Sequence, residues 1–183
     1  TGFDCGPGNC LMDLWAARHL GMPFDRDGAW AGGGRAIPGL LEQLLREPYF
    51  SAPPPKSTGR ELFGEAWLNN RLPPDAAPRD VQATLLELTA RSIAAAIALA
   101  GFRAERVIVC GGGARNAALM RRLEALLAPA PAESSDRHGI DPQQVEAAAF
   151  AWLAMQAVNG QPANLAAVTG ARGPRVLGAI YPA

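Results

Sequence analysis

Val107-Ile108-Val109-Cys110-Gly111-Gly112-Gly113-Ala114-Arg115-Asn116 is the stretch on which the reading of this chain turns. Four β-leaning residues run straight into three glycines. The leucines that follow, Leu119, Leu123 and Leu126, recur with helical spacing. The order is therefore strand, tight turn, helix. Glycines at such a turn remove the Cβ atoms that hold a flat ligand or a phosphate off the backbone. The helix N-terminus beyond it favours negative charge. Two readings stand side by side: a nucleotide-binding turn, and a tight βα connection that binds nothing. The spacing Gly-x-Gly-x-x-Gly is absent, because Asn116 stands where the third glycine would be, so a dinucleotide-binding fold is not supported.

Outward from this turn the chain alternates strands with helices, which predicts an α/β class with both faces of a sheet covered. On the C-terminal side, Asn116 caps a helix with Arg121 and Arg122 on its wet face. Asp141, Pro142 and Gln144 read as a capping box with proline at the first helical position, opening a helix through Phe150 and Trp152 to Asn159-Gly160. Val176 to Tyr181 reads as a strand. On the N-terminal side, Asp80 suits the first turn of a long helix with Val81, Leu85, Leu88, Ile93 and Ile97 on one face, stopped by Gly101. A short helix is expected over 37–46, ended by Pro48, and another over 60–69; 22–36 reads as irregular, and Pro53-Pro54-Pro55 as a stiff connector. Phe3 and Asp4 end a strand, Cys5-Gly6-Pro7-Gly8 turns, and Asn9 caps a helix closed by Gly21.

Composition narrows the function classes. The 183 residues are 49% apolar, enough for a sizeable core in one large domain or one lobe. Seventeen basic residues balance 17 acidic ones, with no basic run, so nothing points to nucleic acid or a membrane surface. No apolar stretch reads as long and uninterrupted enough to span a bilayer, and no signal peptide precedes Thr1. Cys5, Cys10 and Cys110 lack metal-ligand spacing, and reduced thiols in a cytoplasmic protein are expected. The chain opens as though mid-strand and reads as a piece of a longer protein.

Asp4 is the carboxylate best placed for chemistry. A side chain at a strand end, beside a Gly-Pro-Gly turn, projects into whatever cleft the turn borders and can accept a proton. Capping its own turn is the competing role. His19 suits a helix C-terminus and a structural role; His138 sits in a loop before Asp141. Lys56 and Arg60 are candidates for anion contacts or for plain solvation, and Trp30 is a weak candidate for a sugar contact.

Taken together, several segments resemble the C-terminal half of anhydro-N-acetylmuramic acid kinases. They are Gly2-Phe3-Asp4-Cys5-Gly6-Pro7-Gly8-Asn9 with Leu11-Met12-Asp13, the run from Pro55 to Phe63, Asp80 to Leu85, Cys110 to Asn116, and Val168-Thr169-Gly170-Ala171 with Leu177 to Pro182. The resemblance covers nearly the whole chain in order. It implies a lobe of ribonuclease-H-like topology, a mixed sheet flanked by helices, from the superfamily of hexokinase, actin and heat-shock ATPases. It also implies a cytoplasmic, dimeric enzyme, with the helices from Ile37 and Asp80 as candidates for the dimer face.

The reaction implied is the opening of 1,6-anhydro-N-acetylmuramic acid by water, with phosphorylation of O6 from ATP and Mg²⁺ in cell-wall recycling. By the same resemblance Asp4 is the general base, and Gly6, Gly8 and Asn9 lie beside phosphates and sugar. Gly111, Gly112, Gly113 and Asn116 belong to the adenosine side. Glu146 is a second active-site carboxylate on this view, and an exposed helix residue on the other. Cys5 departs from the threonine often found in this turn. The phosphate hairpin of the N-terminal lobe is not found, so residues 1–183 are expected to be the C-terminal lobe and inactive alone. The alternative is a non-catalytic nucleotide- or muropeptide-binding module derived from such a kinase.

Overall fold

The computed structural model describes residues 1–101 and 103–181. Its centre is a helix, α6 (Pro78–Leu99), packed by α1 (Cys10–Leu20), α2 (Ala29–Gly32), α3 (Pro38–Leu45) and α7 (Ala117–Leu127). Pro78 at the first helical position costs no hydrogen bond, and Asp80 in the first turn suits the dipole. Every residue from Val81 to Ala90 is buried, polar ones included. By length and apolar content α6 matches a membrane-crossing helix, contrary to the expectation that no stretch would. Its burial makes it the core helix, and that also removes most of it from any dimer face.

Leu45 of α3 and Leu126 and Leu127 of α7 are partly buried against the core, and the other leucines of these helices lie within it. Leu40, Leu41 and Leu44 of α3, and Leu119 and Leu123 of α7, meet Val81, Leu85 and Leu88 in one cluster with Leu11, Met12 and Trp15 of α1. Gly28 precedes α2 at φ 66°, and a Cβ there would stand 2.2 Å from Asn116 Oδ1. Only glycine permits both that conformation and that approach. α3 stops ahead of Pro48 as expected, and Pro48 in turn opens α4 (Pro48–Ser51). The helix expected over 60–69 forms only as α5 (Glu65–Asn69). The irregular segment holds α2 and a single 3-10 turn, Arg26–Gly28.

Arg122 is not on a wet face. From α7 its Nε and an Nη reach Glu87 of α6 at 2.5 and 2.7 Å, and Arg91 joins at 2.6 Å. Arg122 holds the largely buried Glu87 carboxyl below its ordinary value, against the opposing effect of burial and with help from Arg91. A folded-state value below the unfolded one means stability that is present above the carboxylate range and is lost as pH falls through it. The unfolding temperature is expected to drop on acidification through that range, and Glu87→Gln should flatten this dependence. An unchanged slope in thermal melts of the variant would rule out the cluster as its source.

The sheet is smaller than expected. β1 (Val107–Val109) pairs in parallel with β2 (Ala132–Ser134), with Val107 opposite Ala132, and α7 is the crossover. The mixed sheet is not found among the described residues. One face packs on the core through Val109 and Ala132, while Ile108 on the other is half exposed. Residues 1–5 and the tail 176–181 form no strand. An extended segment becomes a strand only by pairing, and neither lies on a ladder with β1 or β2. Pro182 of the tail motif lies outside the described residues.

α8 (Val145–Val158) starts later than the capping-box reading placed it. Asp141 instead accepts the Gln143 N–H in a local turn. No residue of α8 is buried, and Phe150, Trp152, Met155 and Val158 face outward. A short α9 (Ala166–Thr169) precedes the tail.

Candidate functional site

Asp4 is held at four points. Its N–H donates to Lys56 O at 3.3 Å, and its carbonyl accepts the Tyr49 hydroxyl at 2.8 Å. Its Oδ2 accepts from Ser57 Oγ at 2.8 Å and from the Thr58 N–H at 2.9 Å. The turn-capping role considered for Asp4 is thus not what the carboxylate does: its donors come from a segment some fifty residues away. Thr58 Oγ1 is left buried without a partner. Lys56 is committed elsewhere: its ammonium donates to Tyr49 O and Phe50 O and lies over the Phe3 and Tyr49 rings. It is therefore neither an anion ligand nor a solvated loop residue.

The turn after Asp4 is anchored to the core helix, because Thr89 Oγ1 of α6 donates to Gly8 O at 2.8 Å. Phe3, Asp4, Cys5, Gly6, Pro7, Gly8 and Cys10 line a cleft of about 350 Å³, closed by Thr58, Gly59 and Arg60. Burial pushes the Cys5 thiol up, so it stays a weak donor. Asn9 does not cap α1: it has helical dihedrals and makes no capping bond. Its amide instead faces the glycine turn. Nδ2 is 3.4 Å from where a Gly112 Cβ would stand, and Oδ1 is 3.5 Å from the corresponding point on Gly113. The turn is the wall between two clefts, with Gly8 and Cys10 on one side and Asn9 on the other.

The second cleft, about 480 Å³, is lined by Asn9, Met12, Asp13, Asp25, Arg26, Gly112, Asn116 and Gln143, among others. Gly111 takes φ 74°, and its N–H donates to Pro142 O at 2.8 Å, tying the glycine turn to the start of the α8 region. Gly112–Arg115 form a 3-10 turn, so the glycines do not lead directly into α7. Asn116 caps α7 as expected, its Oδ1 accepting the Leu119 N–H at 3.0 Å. Arg115 pairs with Asp141 at 2.9 Å at the rim; the Gln143 N–H and then Arg115 hold that carboxyl below its ordinary value. Burial pushes the Asp13 carboxyl up, and Arg60 pulls the other way. Asp25, read from the sequence only as a turn former of the irregular stretch, is buried and accepts the N–H groups of Trp30 and Ala31.

The structure thus brings Asp4, Gly6, Gly8, Asn9, Gly112 and Asn116 to two clefts that share a wall. Gly113 lines neither cleft, but the space where its Cβ would stand faces the same Asn9 side chain. Glu146 is exposed on α8 and lines neither cleft. His138 pairs with Glu133, His19 packs at a tilt on Trp15, and Trp30 packs toward the core; none of the three lines either cleft. Among the described residues no three His, Cys, Asp or Glu side chains converge on one point.

A βαβ unit with a glycine turn on one cleft, next to a clamped carboxylate in the other, makes this an α/β domain with a small parallel sheet flanked by helices, an arrangement consistent with a kinase domain. A family model described as anhydro-N-acetylmuramic acid kinase matches residues 1–183, and the chain belongs to that family. It is 57% identical over its whole length to the anhydro-N-acetylmuramic acid kinase of Variovorax paradoxus (strain S110), of which it covers 49%. The enzymes of that name from Cupriavidus pinatubonensis and Pseudomonas putida are each 55% identical, over 99% and 100% of the chain and 49% and 51% of their own lengths. The chain spans about half the length of the curated relatives it matches.

Proposed function

We propose that this chain is the C-terminal lobe of a two-lobed, ribonuclease-H-like kinase of the hexokinase and actin superfamily. Such a kinase opens 1,6-anhydro-N-acetylmuramic acid with water and phosphorylates O6 from ATP. The observation that carries the reading is the shared wall: Asn9 faces the glycine turn and lines one cleft with Gly112, while Gly8, its neighbour, lines the cleft that holds Asp4. Sugar and nucleotide can then meet across one turn.

Asp4 acts as the general base. It takes a proton from water as the water oxygen bonds the anomeric carbon. The C1–O6 bond breaks, its electron pair stays on O6, and O6 takes the γ-phosphoryl group as ADP leaves. The cleft at Gly112, with no Cβ in the way, suits the adenosine side, together with Gly111, Gly113 and Asn116. Gly6, Gly8 and Asn9 suit the phosphates and sugar. Positioning dominates phosphoryl transfer, and a turn bonded to the core helix supplies it. Mg²⁺ is expected to arrive with the nucleotide. Glu146, exposed on α8, takes no part in this scheme. A cytoplasmic homodimer belongs to the same proposal.

The test is ATP-dependent conversion of the anhydro-sugar to the 6-phosphate, followed by mass spectrometry. A polypeptide of the relatives' full length carrying this chain is expected to turn over, and the 183-residue chain alone is not. Binding of sugar or nucleotide by the full-length protein with no phosphorylated product would favour a binding module instead. Turnover by the isolated chain at a full enzyme's rate would refute the half-site.

A further inference from the structure

We propose that Ser57 is a positioning residue for the reaction. Its hydroxyl and the Thr58 N–H together hold Oδ2 of Asp4, so that Oδ1 is the oxygen that takes the proton from water. The inference rests on Asp4 being the base, as proposed above, and goes beyond it by dividing the work between the two carboxylate oxygens.

Both donors converge on the same oxygen, at 2.8 and 2.9 Å. Oδ1 receives no hydrogen bond among the described residues. A carboxylate with one oxygen saturated and the other open is fixed in rotation about its Cβ–Cγ bond, and it presents a single basic site. Asp4 itself is exposed, so no packing fixes its rotamer, and the two hydrogen bonds are what orient it.

The segment that delivers them is itself held. Lys56, one residue before Ser57, donates to Tyr49 O and Phe50 O, and Tyr49 in turn holds the Asp4 carbonyl. The Lys56 carbonyl accepts the Asp4 N–H. Lys56, Ser57, Thr58 and Tyr49 therefore form a closed ring of contacts around one residue. Gly59 and Arg60 continue the segment into the wall of the same cleft.

The experiment uses the polypeptide of the relatives' full length. Ser57→Ala removes the hydroxyl at an exposed position and should leave the unfolding temperature unchanged. Its kcat is expected to fall by roughly 10- to 100-fold, the scale on which small misplacements of a reacting group act. KM for sugar and for ATP should stay within about twofold, because ground-state binding is untouched. Ser57→Thr keeps the hydroxyl and should recover most of the rate.

A wild-type kcat in Ser57→Ala would overturn the proposal. So would a change confined to KM, which marks a substrate contact, or a threonine variant as slow as the alanine one, which shows that the hydroxyl is not what matters. Asp4→Asn separates this inference from the reading beneath it. If that variant turns over normally, the base assignment itself falls. If it is inactive while Ser57→Ala is normal, only the positioning role is lost.

Discussion

Asp4→Asn is expected to lower turnover of the anhydro-sugar by about 10²–10⁴-fold in the polypeptide of the relatives' full length, with nucleotide binding retained. Asparagine has the same shape as aspartate. Its amide oxygen can still accept from Ser57 Oγ and the Thr58 N–H, which now approach Oδ2 at 2.8 and 2.9 Å. The Tyr49 and Lys56 contacts are to the backbone and are unaffected. What changes is the second terminal atom: an oxygen able to take a proton becomes an NH₂ group that can only donate. Position is kept and basicity is lost, so the variant isolates one from the other. Asp4 is exposed, and a substitution that keeps its hydrogen bonds should move the unfolding temperature little. Nucleotide affinity should hold because the cleft at Gly112 and Asn116 does not include Asp4. Steady-state kinetics, a thermal melt and a nucleotide titration check the three parts. Full turnover with a normal melt would remove Asp4 from the chemistry.

The parts of this fold that were legible in the sequence are those where one short window carries its own physics. The apolar face of α6, the leucine spacing of α7 and Asn116 as a cap each need only a few neighbouring residues. What escaped depends on partners far along the chain. β2 follows Pro129 and Pro131 and reads Ala-Glu-Ser, with no alternation to mark it; it is a strand because it pairs with β1. Residues 176–181 have strand composition and no ladder. Asn9 has the composition of a cap, but it takes helical dihedrals and its amide faces the glycine turn instead. Arg122 falls beside Arg121 on a helix, and only the packing of α7 on α6 turns it toward Glu87.

The candidate site divides in the same way. Asp4 and the glycines stood out because their residue types are informative alone. Ser57 and Thr58 were in view as part of a motif with no role attached, since their partner lies 53 and 54 positions away.

Phe63→Ala is expected to destabilise the protein by about 3–5 kcal/mol, the range for removing a fully buried phenylalanine from a packed core. At this chain length that corresponds to a fall of roughly 6–20 °C in the unfolding temperature. Phe63 is 2% exposed and is the centre of an aromatic cluster. Phe50 stacks on it at 5.4 Å, while Tyr49 and Trp67 meet it edge-on at 5.8 and 5.2 Å. Each such pair adds about 0.5–1.5 kcal/mol beyond the area it buries, so truncation loses several at once. The cluster also stands behind the site. Tyr49 carries the hydroxyl that holds the Asp4 carbonyl, and Lys56 reaches the Tyr49 and Phe50 carbonyls to set the segment that orients the carboxylate. A cavity at Phe63 frees both rings to shift, and a shift of either moves Asp4 relative to its donors. The folded fraction of Phe63→Ala should therefore show a reduced kcat, whereas Phe63→Leu, which refills much of the volume, should recover most of the stability and rate. A melt of Phe63→Ala at the wild-type temperature would mean that this cluster is not part of the core. A large loss of stability with kcat intact would instead mean that Asp4 is held by the Ser57 and Thr58 bonds alone.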